Sequence, residues 1–352
     1  MIPAHWAAQG VGVSLTGNLV QDIRQLFAFH FMVNAFRAGT VVAVTAGLLG
    51  WFMVLRAQSF AGHTLAVAGF PGAAGATLVG ISPAWGFFAF CGAGAAVIAT
   101  VPRARAGTQG AGFSEESAAI GTVQALALGL GFLFVSLYHG FLNGINALLF
   151  GTFLGITDAQ VGVLVAVAAV IVAALAIGGR QLLFASVDPD VAAARGVPVT
   201  ALGVAFLLLL GFAAAEASQI TGSLLVFALL VVPAATAQRV TARPAASIAL
   251  SVGIAVAVTW LGLAAAYYSP YPIGFFVTTF GFALFALAQI ATRLNSIRRL
   301  EGRLGNSIRR LEGRLGNSIR RLEGRLGNSI RRLEGRLGNS IRRLQGRLGP
   351  SR

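Results

Sequence analysis

Long apolar stretches separated by short polar connectors recur along this sequence. Of its 352 residues, 56% are hydrophobic and only 11% are charged, which excludes an ordinary soluble globule. A helix needs roughly 20 apolar residues to cross a bilayer. Stretches near that length lie at about 31–55, 64–81, 84–101, 118–138, 159–178, 199–217, 221–238, 245–267 and 272–292. The sequence predicts an all-α integral membrane protein, a polytopic helical bundle with about eight to nine transmembrane helices.

Arginine marks alternate connectors between these stretches. Short basic loops stay on the cytoplasmic side of a membrane. The arginines lie at Arg56, Arg103, Arg105, Arg180, Arg195, Arg239 and Arg243, and again from Arg293 onward. We therefore expect these connectors in the cytoplasm, the others and the N-terminus outside, and the protein in the cytoplasmic membrane, although Arg24 and Arg37 lie on the external side. Residues 1–30 form an N-terminal segment without a signal-peptide pattern. The apolar piece 142–155 is too short to cross and is predicted to be re-entrant or interfacial.

Residues 295–352 form an Arg-rich tail of five eleven-residue repeats. The tail holds 16 of the 26 arginines and four glutamates, and its copies start at Asn295, Asn306, Asn317, Asn328 and Asn339. Ile and Leu recur at spacings of 3, 4 and 4, the pattern of a right-handed helical supercoil. Two glycines per copy each cost a helix about 1 kcal/mol relative to alanine. We expect a marginally ordered, solvated tail without a transport function. A self-associating helix and a helix on anionic lipid are alternatives.

One cytoplasmic connector contains a complete short helix. Asp188 suits the N-cap, Pro189 the first helical position, and Asp190 the positive N-terminal end. Arg195 suits the negative C-terminal end, and Gly196 stops the helix. The segment is either a plain connector or a coupling helix, a rigid lever that docks onto a separate ATPase subunit.

Four segments resemble the permease subunits of the zinc, manganese and iron ABC importers, often called the ABC-3 family. They are the connector 184–198, the early motif 56–72, the piece 149–155 and the late motif 222–237. The resemblance runs from about residue 31 to residue 293. It implies a permease domain of the type II importer kind at 31–293, with 183–198 as the coupling-helix loop.

The resemblance implies that the chain moves Zn, Mn or Fe across the cytoplasmic membrane. It implies a pair of permease chains, two cytoplasmic ABC ATPase subunits and an extracytoplasmic metal-binding protein. The sequence has no phosphate-binding loop and no lysine, so another chain must hydrolyse ATP. We expect no enzyme activity, no permanently bound cofactor and no nucleic-acid partner. A siderophore or corrinoid permease, a secondary transporter, and a membrane anchor with a basic tail are the competing hypotheses.

Candidate metal ligands are few. Family members carry Asp and, four residues later, His in the early motif, whereas this chain has His63 and Val67. His63 is therefore one candidate ligand, with His139 and Glu216 as two more, because ionisable groups in a membrane domain are functional candidates by default. A packed histidine and solvated loop ends are the structural alternatives.

Two prolines within apolar stretches are candidates for shaping the pathway. Pro71 lies in the early motif and Pro233 in the late motif. Because proline removes a backbone hydrogen bond, each is expected to kink its helix where the pathway passes.

Overall fold

The computed structural model describes residues 18–100, 111–138, 155–223 and 226–347, where every regular element is a helix and no strand occurs. The prediction of an all-helical chain is confirmed there. The helices are α1 (Leu19–Ala28), α2 (His30–Leu55), α3 (Ser59–Val79), α4 (Pro83–Thr100), α5 (Ala111–Leu137), α6 (Asp158–Val187), α7 (Pro189–Ala194), α8 (Val199–Thr221), α9 (Val226–Val240), α10 (Pro244–Tyr267) and α11 (Ile273–Arg347).

Seven helices of the described ranges are long and apolar enough to cross a bilayer. By this measure the prediction of eight to nine is too high. The other two predicted stretches form α3 and α9. Glycines, His63 and Pro71 lower the mean hydropathy of α3, and α9 has only 15 residues.

The chain divides into two compact units, Met1–Gln289 and Ile290–Arg352. Helix α11 is continuous from Ile273 to Arg347, so the described repeats of the tail are helical. The helical spacing of Ile and Leu and the good helix formers Leu, Arg and Glu favour this helix, whereas the two glycines of each copy weaken it. The re-entrant piece predicted at 142–155 lies outside the described residues except for Gly155.

Helix α3 packs against α4, α5 and α8. All its residues from Ala61 to Ala74 are buried except His63, which is half-buried. At the crossing with α4, two glycines approach each other reciprocally. A Cβ on Gly72 would lie 2.1 Å from the Gly86 carbonyl oxygen, and one on Gly86 would lie 2.0 Å from the Gly72 oxygen. Only glycine at both positions permits this backbone contact.

Helix α2 is held by polar contacts with α9 and α10. The Ser251 hydroxyl donates to the Gly47 carbonyl over 2.8 Å, and the Trp51 indole donates to the Ser247 hydroxyl over 2.8 Å. A Cβ on Gly50 would lie 2.0 Å from the Leu230 carbonyl oxygen. Small residues and buried hydrogen bonds therefore bring α2 close to both neighbours.

Contacts between helix ends agree with the alternation of the arginine connectors. The Tyr268 hydroxyl donates to the Asp22 carbonyl, joining two segments predicted outside. At another pair of predicted external ends, His30 Nε2 lies 3.1 Å from an oxygen of Asp158. Ends predicted on the same side of the membrane thus lie together.

We expect Gly72→Ala to destabilise the bundle by about 3 kcal/mol or more, because the added methyl group meets backbone and not a movable side chain. The matched control is Gly253→Ala, since a Cβ at that helical position meets nothing within 4 Å and alanine favours the helix. Thermal unfolding of the purified protein in detergent measures both. Equal melting temperatures for the two variants would contradict the tight crossing.

Candidate functional site

The connector after α6 folds as its capping residues predict. The Asp188 carboxylate accepts a hydrogen bond from the Val191 N–H over 3.0 Å, and Pro189 occupies the first helical position. At the other end, Gly196 has φ +81° and its N–H donates to the Ala193 carbonyl, while the Val197 N–H donates to the Ala192 carbonyl. These two bonds form a Schellman motif. The six-residue helix α7 is therefore closed at both ends.

Helix α7 has one packed face and one exposed face. Ala192 is fully buried, whereas Val191 is 43% exposed. Asp190 and Arg195 are also exposed. The Arg195 guanidinium lies 5.8 Å from the centre of the Phe184 ring, a cation–π contact with the end of α6. A rigid helix with an apolar and charged outer face is suited to docking against another protein.

Arg56 connects this region to the central helix α3. It is the C-cap of α2, and its Nη1 donates to the Ser186 hydroxyl over 3.1 Å, two residues before the N-cap of α7. Its Nε donates to Gln58 at the turn into α3, and its guanidinium lies 5.3 Å from the centre of the Phe206 ring in α8. One side chain thus contacts the segments before and after α7 and the start of α3. Sequence reasoning used Arg56 only for orientation, although it opens the early motif.

His63 lies near the start of α3. Its ring packs edge-on against Phe227 of α9, with ring centres 5.0 Å apart. Its Nδ1 atom is buried and has no hydrogen-bond partner within the described ranges. One helical turn later, Val67 is buried on the same side of α3. His63 therefore presents a buried nitrogen lone pair or N–H that no described residue pairs with.

Both prolines interrupt the hydrogen-bond ladder of a buried helix. Pro71 lies inside α3 and cannot donate to the carbonyl of Val67, and Pro233 lies inside α9 and cannot donate to the carbonyl of Leu229. Both helices continue through their prolines. Each proline therefore leaves a main-chain oxygen without its helical donor inside the bundle.

Glu216 is fully buried in α8 and does not lie at a solvated helix end. Neither of its carboxylate oxygens has a hydrogen-bond partner in the described part of the chain. The Thr45 hydroxyl of α2 lies beside it but donates to the carbonyls of Val41 and Val42. A carboxyl group buried without a partner is costly unless it carries a proton or meets a cation.

The two described candidate ligands have different neighbours. His63 contacts Phe227, whereas Glu216 lies beside Thr45. No group of three His, Cys, Asp or Glu suited to a metal ion occurs among the residues that could be searched. His139 lies outside the described residues.

Comparison with known proteins places these features in a family. Residues 28–292 match the ABC 3 transport family. The manganese import system permease protein ScaB of Streptococcus gordonii is 30% identical over 246 residues, 70% of this chain and 86% of the relative. The chelated iron transport system membrane protein YfeC of Yersinia pestis is 29% identical, over 71% of this chain and 82% of the relative.

A solved structure is also similar. A chain of PsaBC from Streptococcus pneumoniae, determined in complex with a Fab, superposes with a TM-score of 0.67 at 28% identity, over 77% of this chain and 95% of that chain. The family match covers the helices that carry the early motif, the coupling segment and the late motif. This chain is a multi-pass membrane protein and belongs to the ABC 3 transport family.

Proposed function

We propose that this chain is the permease subunit of an ATP-binding-cassette importer that carries divalent metal ions, with manganese or iron as the first candidates. The observation that supports this most is the family match over residues 28–292 together with 30% identity to a permease named for manganese import. Measured uptake of Mn, Fe and Zn by vesicles that contain the assembled transporter tests it.

The chain would work as part of a larger complex. We propose that two permease chains pair, that separate ATPase subunits bind their cytoplasmic faces, and that an extracytoplasmic protein delivers the metal. The exposed face of α7 supports the ATPase contact, because it combines Val191 with Asp190 and Arg195 on a doubly capped helix. The bundle would then be a permease of the type II importer kind.

Arg56 offers a route from ATP hydrolysis to the pathway. Closure of the ATPase subunits would move α7, and the bond from Arg56 to Ser186 would carry that displacement to the turn before α3. Helix α3 bears His63 and Pro71, so its movement would change which side of the membrane the pathway faces. Direct hydrogen bonds of a charged group are strong enough, at about 1.5–3 kcal/mol, to bias such an equilibrium.

The ligands for the passing ion would be a nitrogen and oxygens from buried helices. His63 offers an imidazole nitrogen without a partner, and Pro71 leaves the carbonyl of Val67 without its helical donor one turn away. Imidazole is a good ligand for Fe, and carbonyl oxygen is a good ligand for Mn. We propose the His63 imidazole as the first contact in α3, the Val67 carbonyl as a later contact further along the same helix, and the Glu216 carboxylate of α8 as a separate candidate. His139 remains a proposed ligand on the basis of sequence.

We expect His63→Ala to lower metal uptake by at least about tenfold, because a transient site with few ligands depends on each one. His30→Ala is the control, since it removes an imidazole that is largely exposed. Uptake of radioactive manganese by vesicles, at equal amounts of folded protein, measures the difference. Unchanged transport of Mn, Fe and Zn would remove His63 from the pathway. The same uptake measurement on Glu216→Gln, which removes the charge and nearly keeps the shape, tests whether the carboxylate contributes to transport.

We expect Gly196→Ala to weaken coupling between metal binding and ATP hydrolysis, because a side chain at φ +81° costs roughly 1–2 kcal/mol. Gly155→Ala is a matched control: Gly155 has φ +87°, and a Cβ at either position meets nothing within 4 Å. Metal-stimulated ATPase activity of the reconstituted complex is the measurement. If both variants behaved alike, the coupling function of α7 would be rejected.

We expect Arg56→Ala to lower the number of metal ions carried per ATP about two- to tenfold while ATP hydrolysis continues, because loss of about 1 kcal/mol of linkage changes a population several-fold. Arg56→Lys should restore only part of the effect, since lysine lacks the planar fork that contacts Ser186 and Gln58 together. Arg180→Ala removes an exposed arginine from the same predicted side. A normal ratio in Arg56→Ala would refute the proposed route.

A further inference from the structure

The tail helix carries an uncovered apolar stripe. Eleven residues make three turns, so the Ile and two Leu of each copy lie within an arc of about 65° that repeats on the same side of the helix. Five stripe residues have described side chains, and all are more than half exposed: Leu315 62%, Leu326 63%, Ile330 52%, Leu333 59% and Leu337 61%. An exposed apolar stripe of this length is expected to be buried against a partner surface.

The width of the stripe indicates what kind of partner surface can bury it. A helix that packs on a protein core usually presents an apolar face of about 100° or more, whereas a narrower stripe is typical of a coiled-coil seam. The glycines of each copy lie outside the arc of the stripe, so they would leave no gap in such a seam. Another helix therefore fits this surface better than a broad apolar face does.

The charges of the tail distinguish lipid from protein. In the fourth copy, Glu334 lies about 65° from the centre of the stripe on one side, and Arg336 lies about 100° from it on the other. Arg331 and Arg332 lie about 130° away. A helix that pressed its stripe into an anionic surface would bring the Glu334 carboxylate towards the negative headgroups, because this residue lies on the flank of the stripe. The pattern disfavours adsorption to anionic lipid.

The same charges favour a second copy of this helix in parallel orientation. When two identical helices face each other in parallel, the Glu334 flank of one meets the Arg336 flank of the other. An antiparallel pair would place glutamate opposite glutamate, which is repulsive. Because the tail follows the last membrane span in every copy, two chains in one membrane start their tails at the same side.

We propose that the tails of two copies of this chain pair along the Ile and Leu stripe as a parallel, right-handed coiled coil. Burial of the stripe supplies the tertiary packing on which helices depend in water, and which the glycine-containing helix lacks when alone. The pairing goes beyond the proposed transport function and does not depend on it.

The test is disulfide cross-linking of the full-length chain reconstituted in vesicles of phosphatidylcholine, with and without phosphatidylglycerol. Leu333→Cys places a thiol in the seam, and Asn328→Cys places one on the far side of the same copy, about 160° from the stripe centre. The native Cys91 is buried and donates to the Leu65 carbonyl, so the unsubstituted chain measures its background.

We expect the Leu333→Cys chain to form covalent dimers under mild oxidation about fivefold more than the Asn328→Cys chain, because a disulfide requires Cα atoms closer than about 7 Å. Both variants share the same membrane domain, so the difference reports the tail alone. Equal cross-linking, or none at Leu333→Cys, would overturn the pairing. Protection of Leu333→Cys from a water-soluble maleimide only in the anionic vesicles, without cross-linking, would overturn it in favour of lipid adsorption. Metal uptake plays no part in either readout, so failure here leaves the transport proposal untouched.

Discussion

Every helix in the hydrocarbon region must satisfy its own backbone, and this requirement governs the bundle more than any side-chain contact. Where two helices approach closely, as at Gly72 and Gly86, the side chains are absent and main chain meets main chain. Where a proline breaks the ladder, as in α3, the affected oxygen lies inside protein and not in lipid. A close approach and a broken ladder therefore occur together in the buried part of α3.

Helices α7 and α3 differ in stiffness. Helix α7 is capped at both ends and cannot fray, while α3 contains a proline and several glycines. Arg56 lies between them and holds both through hydrogen bonds that can break and form again. In the route that we propose, a displacement of α7 would reach α3, where a proline and several glycines make the helix easier to bend.

Local features were predictable from sequence, and distant pairings were not. The apolar stretches identify the helices, and Asp188 with Gly196 identifies both ends of α7, because caps depend on residues three or four positions apart. The bond from Arg56 to Ser186 spans 130 residues, so no periodicity reveals it. The burial of Glu216 was also missed, since a residue near the end of an apolar stretch has the same sequence pattern whether it faces solvent or a neighbouring helix.

The near-identity of the tail repeats has a consequence for how the chain can change in length. Eleven residues correspond to three whole turns, so the gain or loss of one complete copy leaves the apolar stripe on the same side of the helix. An insertion of any shorter segment would rotate the rest of the stripe out of line. Recombination that adds or removes whole copies thus leaves the apolar stripe continuous. The length of the tail can therefore change in steps of eleven residues without disturbing the stripe.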